Sequence, residues 1–326
     1  MRTGNSWIPL LLALLAETGK KSLSFWWPYL SLVPSETAVG PPHLWSPEER
    51  SQLLQGTGVG ERVQRDLANM ERDYHSIVLP FIQRHPLLYQ GSEHSLQMYR
   101  DLVCLVMSYS FTDSAEDDDV SRQTMMVPFV DLLNHHSQHH AELRFHSSYL
   151  QLVAIRDIPQ GSEVMNTYGP LSNASLLHAY GFTEEGNPHD VALIQSTTLR
   201  KAYSSLRGSH DMSCDQRWER VREDVSEDEF EVDISGSPEP SLVAAVKLLM
   251  VEEEEYDSMC HYVMDEKVDL KLKSLSKVER KFLLRVCRAC LADLSNETCG
   301  EGEDKKCLVL QLSSSQRLSL EKLEKA

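Results

Sequence analysis

Val63, Leu67, Met70, Tyr74 and Ile77 recur at alternating steps of four and three, the spacing of one apolar face of a helix. Further along, Leu143 and Phe145, then Leu150, Leu152 and Ala154, fall on every second residue, the period of a strand. A chain whose period changes once and then changes back is neither a pure helical bundle nor a sandwich. It reads as α+β, with a small antiparallel β unit set between helical regions.

The first helical region runs from Trp7 to Phe111. Ser46-Pro47-Glu48-Glu49 is a capping box with proline at the first helical position, and Leu96, Tyr99, Val103, Val106 and Tyr109 mark another helix. The acidic run Asp113 to Asp119 then separates this region from the extended one. Ile158-Pro159-Gln160-Gly161 is a turn leading into SEVMNTY, and a short helix follows at about Ser172 to Tyr180. That helix carries Asn173, Leu176, Leu177 and Tyr180 on one face, and Gly181 stands where a left-handed stop belongs. Beyond about residue 187 the pattern is helical again, broken by SGSPEPS and restarted at a Ser276/Glu279 cap.

Lys and Arg number 32 against 49 Asp and Glu, a net charge of −17, which repels a phosphate backbone and disfavours nucleic acid as a direct ligand. Seven scattered cysteines, an odd number, point to a reducing compartment. The apolar run Trp7 to Ala16 imitates a secretory signal, but Pro9, Glu17 and the following FWWPYLSLVP read as buried protein. The sequons at Asn173 and Asn296 would matter only in a secreted chain. No apolar run reaches the roughly 20 residues that span a bilayer, so no membrane partner is expected.

In DLLNHHSQHH, His135/His139 and His136/His140 have the i, i+4 spacing of two zinc ligands on a helix. They lack an intervening Glu and a third ligand at a fixed spacing, so His136 to His140 read as a turn, and no metal is assigned. Gly56-Thr57-Gly58-Val59-Gly60 lies between helices rather than after a strand and fails as a dinucleotide fingerprint. Cys287 and Cys290 share an apolar helical stripe with Leu283, Leu291 and Leu294, which favours buried thiols over zinc. Tyr109, Tyr168 and Tyr180 each end an element, and each alone would be core with an outward hydroxyl.

Taken in order, VPFVDLLNHH, IPQGSEVMNTYG and LLHAYGF resemble the C-terminal half of a SET domain of the Rubisco-methyltransferase-like class of protein N-lysine methyltransferases, and the likeness extends over roughly residues 7 to 186. The resemblance implies a fold of class α+β: the C-terminal part of a SET domain, with small antiparallel β units and a knot-like crossing, a large helical insertion, and an all-helical lobe after it. Residues 1–186 would be a truncated SET domain, with 1–123 as insertion and 124–186 as catalytic core segment, and 187–326 would be a substrate-binding lobe. The family's Gly-rich strand and turn has no counterpart before Trp7, so the chain is expected to begin inside the insertion.

The cofactor implied is S-adenosyl-L-methionine. Asn134 and His135 match the Asn-His pair that holds its adenine end, Tyr168 the catalytic tyrosine facing the lysine ammonium, Tyr180 an aromatic of the cofactor and lysine channel, and Tyr109 a substrate-side pocket residue. The partners implied are lysine-bearing proteins, histones or transcription factors among them, met in the nucleus and also in the cytoplasm. Transfer of a methyl group to lysine needs a neutral amine. An unperturbed lysine loses its proton at about pH 10.4, so deprotonation at pH 7 costs on the order of 4 to 5 kcal/mol, which desolvation beside a cationic cofactor reduces. The alternative is an impaired isoform or fragment that acts as a protein-binding module.

Overall fold

The computed structural model describes residues 7–32, 40–90, 94–112, 124–146, 149–207, 212–265, 267–294 and 304–325. The acidic run 113–119, Cys299 and the sequon at Asn296 lie outside them. The chain forms two compact units, one of Met1–Ser46, Glu61–Leu171 and Ser175–Glu184, the other of Pro47–Gly60, Ser172–Ala174 and Glu185–Ala326. The division is therefore not the single cut after residue 186 that the sequence suggests, because packing groups the short stretches 47–60 and 172–174 with the later residues.

In the first unit the apolar N-terminal run forms the helix Ile8–Lys20, which buries Leu11, Leu14 and Leu15. It packs on the helix Leu96–Tyr109, which buries Tyr99, Leu102, Val103 and Val106 and whose Ser95 cap accepts the Met98 N–H at 3.1 Å.

The helix Val59–Asp73 carries the predicted stripe only in part. Val63, Met70 and Tyr74 are buried and Leu67 partly so, but Ile77 is 36 % exposed and Val78 is fully buried in its place. The cause is a π-helical turn over Tyr74–Val78, in which the Leu79 N–H reaches back five residues to the Tyr74 carbonyl. The next residue, Pro80, has no N–H to continue an α-helical ladder. One extra residue per turn rotates the helix Leu79–Arg84 relative to its predecessor. Val78→Ala should then cost on the order of 2 kcal/mol, whereas Ile77→Ala should stay within about 0.5 kcal/mol of the parent. Urea unfolding of both variants reads this directly, and a larger loss for Ile77 would restore the unbroken α register.

Two antiparallel hairpins complete this unit. β1 (Ser110–Thr112) pairs with β2 (Thr124–Met126), and β3 (Ala141–Phe145) with β4 (Leu150–Ala154). Leu143 lies opposite Leu152 and Phe145 opposite Leu150, so the residues that alternate in the sequence share one face. The expected turn closes with Ser162 N–H on the Pro159 carbonyl and Gly161 at φ +84°. SEVMNTY, however, forms no strand there. It joins through one parallel bridge, Asn166 to His135.

The second unit is not all helical. β5 (Val191–Gln195) and β6 (Glu229–Asp233) form an antiparallel pair. VALIQ is too short and too continuously apolar to show a period, and EFEVD turns only Phe230 and Val232 inward, so both pass unnoticed among helices. The helix Pro240–Met250 is buried nearly all round, Lys247 included, whose Nζ donates to the Ser274 carbonyl at 2.7 Å. Both halves of the Ser276/Glu279 capping box are present. Cys287 and Cys290 are buried in the apolar core, where desolvation pushes both thiols up to about 12. Gly56 and Gly58 lie in the left-handed region in the turn between the helices Pro47–Leu53 and Val59–Asp73, and Gly60 lies within the second of these helices. Asn173, the other sequon asparagine, is buried and donates its amide to Asp190 at 2.7 Å. Among the described residues no helix is long and apolar enough to cross a membrane.

Candidate active site

The site begins where two segments cross in the first unit. Asn166 N–H donates to the Asn134 carbonyl at 2.9 Å, His136 N–H donates to the Asn166 carbonyl at 3.0 Å, and Ala141 N–H to the Met165 carbonyl at 3.1 Å. These bonds hold NHH against MNTY and fix the two residues on either side of the bridge. Tyr168 N–H donates to His135 Nδ1 at 3.0 Å, so the neutral ring carries its proton on Nε2. That nitrogen faces the Glu184 carboxylate at 3.5 Å, which also accepts the Ser137 hydroxyl at 2.6 Å.

Tyr168 is placed at both ends. Its ring packs on His135 at 5.2 Å and on Tyr180 at 4.6 Å between centroids, with Phe182 closing the group at 6.3 Å. Its hydroxyl donates to the Leu133 carbonyl at 2.8 Å. Burial, with the neighbouring phenols of Tyr180 and Tyr109 and the charge of Glu163, holds the Tyr168 phenol well above the usual tyrosine range. It is a neutral hydrogen-bonding group at any physiological pH, not a phenolate base.

Tyr109, Asn134, Tyr168 and Tyr180 line one cavity of about 340 Å³, within the size range of small-molecule sites. His135 is not among the lining residues. It stands behind the wall and orients Tyr168. Asn134 lines the cavity but is exposed, and its amide donates to Glu163 at 2.6 Å. His136 to His140 behave as the turn expected of them, His136 Nδ1 accepting the Gln138 N–H at 2.9 Å.

Sequence reasoning missed three contributors. Phe182 sits inside the AYGF motif and could have been read there. Asp131, in DLLNHH, lines the cavity, is 6 % exposed, and receives a hydrogen bond from the Tyr29 hydroxyl on Oδ2 while Oδ1 has no hydrogen-bond partner among the described residues. Tyr29, far upstream, carries no local signal of this role. Burial raises the Asp131 carboxyl above the usual range, against the lowering effect of the Tyr29 bond. A carboxyl raised in the folded state favours folding below its unfolded pKa of about 3.9 and loses that contribution as pH rises through the folded value. Asp131→Asn removes the dependence, so denaturation measured across a pH series should shift in the variant's favour as pH rises through that window. A constant difference would show that Asp131 does not titrate as the buried geometry requires.

Comparison with known proteins agrees with the geometry. The SET domain family matches residues 20–169. The chain is 44 % identical over 214 residues to bovine N-lysine methyltransferase SETD6, covering 64 % of this chain and 47 % of the relative. It is also 44 % identical to the human protein of that name over 64 % of this chain and 45 % of the relative, and 37 % identical to the Xenopus laevis one over 86 % and 59 %. The chain thus spans about half the length of the relatives it matches. In structure it resembles the SET domain of LSMT bound to lysine and AdoHcy, with a TM-score of 0.67 at 18 % identity over 98 % of this chain and 74 % of that one. Rubisco LSMT bound to AdoMet gives 0.66 with the same identity and coverage. The crossing of NHH with MNTY and the hairpins therefore belong to the fold these SET-domain structures share, and residues 20–169 are the part of the chain that the SET domain family matches.

Proposed function

We propose that the chain acts as a protein-lysine N-methyltransferase using S-adenosylmethionine. The observation that carries this reading is the Tyr168 hydroxyl, anchored to the Leu133 carbonyl inside an aromatic cavity beside Tyr180 and Phe182. The cavity suits a cationic cofactor and an amine, since aromatic faces attract cations and Asp131 adds a carboxyl to the wall. Asn134 and Tyr180 would hold the cofactor from the lining, with His135 fixing Tyr168 from behind, and Tyr109 would meet the substrate. S-adenosylmethionine supplies an electrophilic methyl group on a sulfonium centre.

The protein's own work is positioning and desolvation. The lysine nitrogen must lose a proton before it can attack, and a dry aromatic channel disfavours the ammonium. Tyr168, held as a phenol, orients the amine without placing a full negative charge beside it. Burial, with the neighbouring Asp131 carboxyl, raises the phenols of Tyr29 and Tyr109, and Asp131 lines the cavity with Tyr109. Lysine-bearing proteins, histones and transcription factors among them, are the proposed substrates, and the nucleus, with the cytoplasm, the proposed setting. The net charge of −17 suits basic partners.

Transfer of labelled methyl from S-adenosylmethionine to a lysine-rich protein, with the lysine position confirmed by mass spectrometry, tests the reading, and absence of label at lysine overturns it. The alternative reading is a protein-binding module without turnover. Calorimetry with S-adenosylmethionine separates the two, because micromolar binding is expected of the enzyme and none of the module.

A further inference from the structure

Away from the crossing, within the first unit, three side chains that no part of the proposed reaction uses converge. His43 lies on the short turn Pro42–Leu44, Asp66 on the helix Val59–Asp73, and His178 on the helix Asn173–Tyr180. One ring nitrogen of each histidine and a carboxylate oxygen of Asp66 all lie within 4.8 Å of one another. The two histidines are 5 % and 6 % exposed. Their rings meet edge to face at 4.9 Å.

The contacts of Asp66 with the two rings are not alike. His43 Nε2 lies 3.3 Å from Asp66 Oδ2 in hydrogen-bonding geometry. His178 Nε2 approaches the same oxygen more closely, at 2.9 Å. Two ring nitrogens that converge on one carboxylate oxygen at these distances are spaced as neighbouring ligands are along the edges of a coordination polyhedron. For zinc, with bonds of about 2.0 to 2.1 Å, a tetrahedral edge is about 3.3 Å, and the two distances fall close to it. Charge agrees with the geometry. Although burial works against ionisation, the two imidazoles hold the Asp66 carboxyl well below the usual carboxylate range, so an anion is present to meet a dication.

We infer that His43, Asp66 and His178 form a binding site for a divalent transition metal of the zinc class. Two imidazoles and one carboxylate are a borderline donor set of the kind zinc accepts, with water completing the shell. None of the three residues lines the cavity. The site fastens the 42–44 turn, whose Leu44 lines the cavity, to the last turn of the helix that carries Tyr180, two residues beyond His178. The metal therefore braces the cavity wall without touching the reacting groups.

The test uses Co²⁺ alone as probe and does not depend on turnover. The full chain, stripped with a chelator and dialysed, is titrated with Co²⁺ and then with Zn²⁺. One equivalent of Co²⁺ should develop the visible ligand-field absorption of a four-coordinate site, and one equivalent of Zn²⁺ should abolish it. Asp66→Asn, nearly the same shape, should weaken binding by more than about 100-fold, since loss of even an outer-shell partner costs 10- to 100-fold. His178→Asn provides the second variant, and circular dichroism of each metal-free protein establishes folding. No stoichiometric Co²⁺ signal from the parent overturns the inference, as does either folded variant binding as the parent does. In those cases the three groups are a buried imidazole–carboxylate cluster, and the methyltransferase reading is untouched.

Discussion

Tyr168→Phe should leave the fold and cofactor binding largely in place while lowering methyl transfer by about 10²- to 10³-fold, the usual scale for removing one preorganised hydrogen-bonding group from a reacting centre. The ring stays packed between His135 and Tyr180, and the Tyr168 N–H still reaches His135 Nδ1. Only the hydroxyl is lost. Its bond to the Leu133 carbonyl contributes about 1 kcal/mol to stability, which lowers the melting temperature by a few degrees at most and cannot account for a hundredfold rate effect. The distinguishing measurement is kcat against KM with a lysine-bearing substrate, beside calorimetry with S-adenosylmethionine. A fall in kcat at unchanged cofactor affinity is the expected pattern. Equal rates for parent and variant would remove Tyr168 from the chemistry, and parallel losses of cofactor affinity and rate would reduce it to a packing residue.

The helices that are legible in the sequence are those whose pattern is local. Val63, Met70 and Tyr74, or Tyr99, Val103 and Val106, report their own burial through spacing alone. The same reasoning fails at Ile77, because a π turn depends on the backbone donor missing at Pro80 and moves the register by one residue. It fails at β5 and β6 because a five-residue buried run has no period to detect. In the site, Asn134, Tyr109, Tyr168 and Tyr180 are readable as members of short motifs, and the cavity gathers all four. Tyr29 beside Asp131, and His43 beside Asp66 and His178, are not readable. Each joins residues far apart in the chain, and nothing in the neighbourhood of Tyr29 or His43 distinguishes it from an ordinary core residue.

Gly181 is where local and distant constraints meet, and its replacement should be among the most damaging single changes in the first unit. It ends the helix Asn173–Tyr180 at φ +80°, its N–H closing on the carbonyls of Leu176 and Leu177. That much is a glycine stop that its position in the sequence predicts. The structure adds a close approach, since a Cβ at Gly181 would sit 2.4 Å from the carbonyl carbon of Gly40 and 2.5 Å from its oxygen. The Gly40 carbonyl cannot easily withdraw, because the buried Trp45 indole N–H donates to it at 3.0 Å. Gly181→Ala therefore meets a backbone penalty of about 1 to 2 kcal/mol for the left-handed conformation and a collision that must displace Gly40 and Pro41. Together they should cost on the order of 4 kcal/mol, the range reached only by severe steric or burial defects. Pro41 lines the cavity and Tyr180 precedes the glycine, so ligand affinity should fall along with stability. Gly181→Asn separates the two causes. Asparagine tolerates the left-handed region but carries the same Cβ, so it should recover only the conformational share. If denaturant unfolding shows Gly181→Asn as stable as the parent, the approach of Gly40 is not limiting, and the glycine serves the helix end alone.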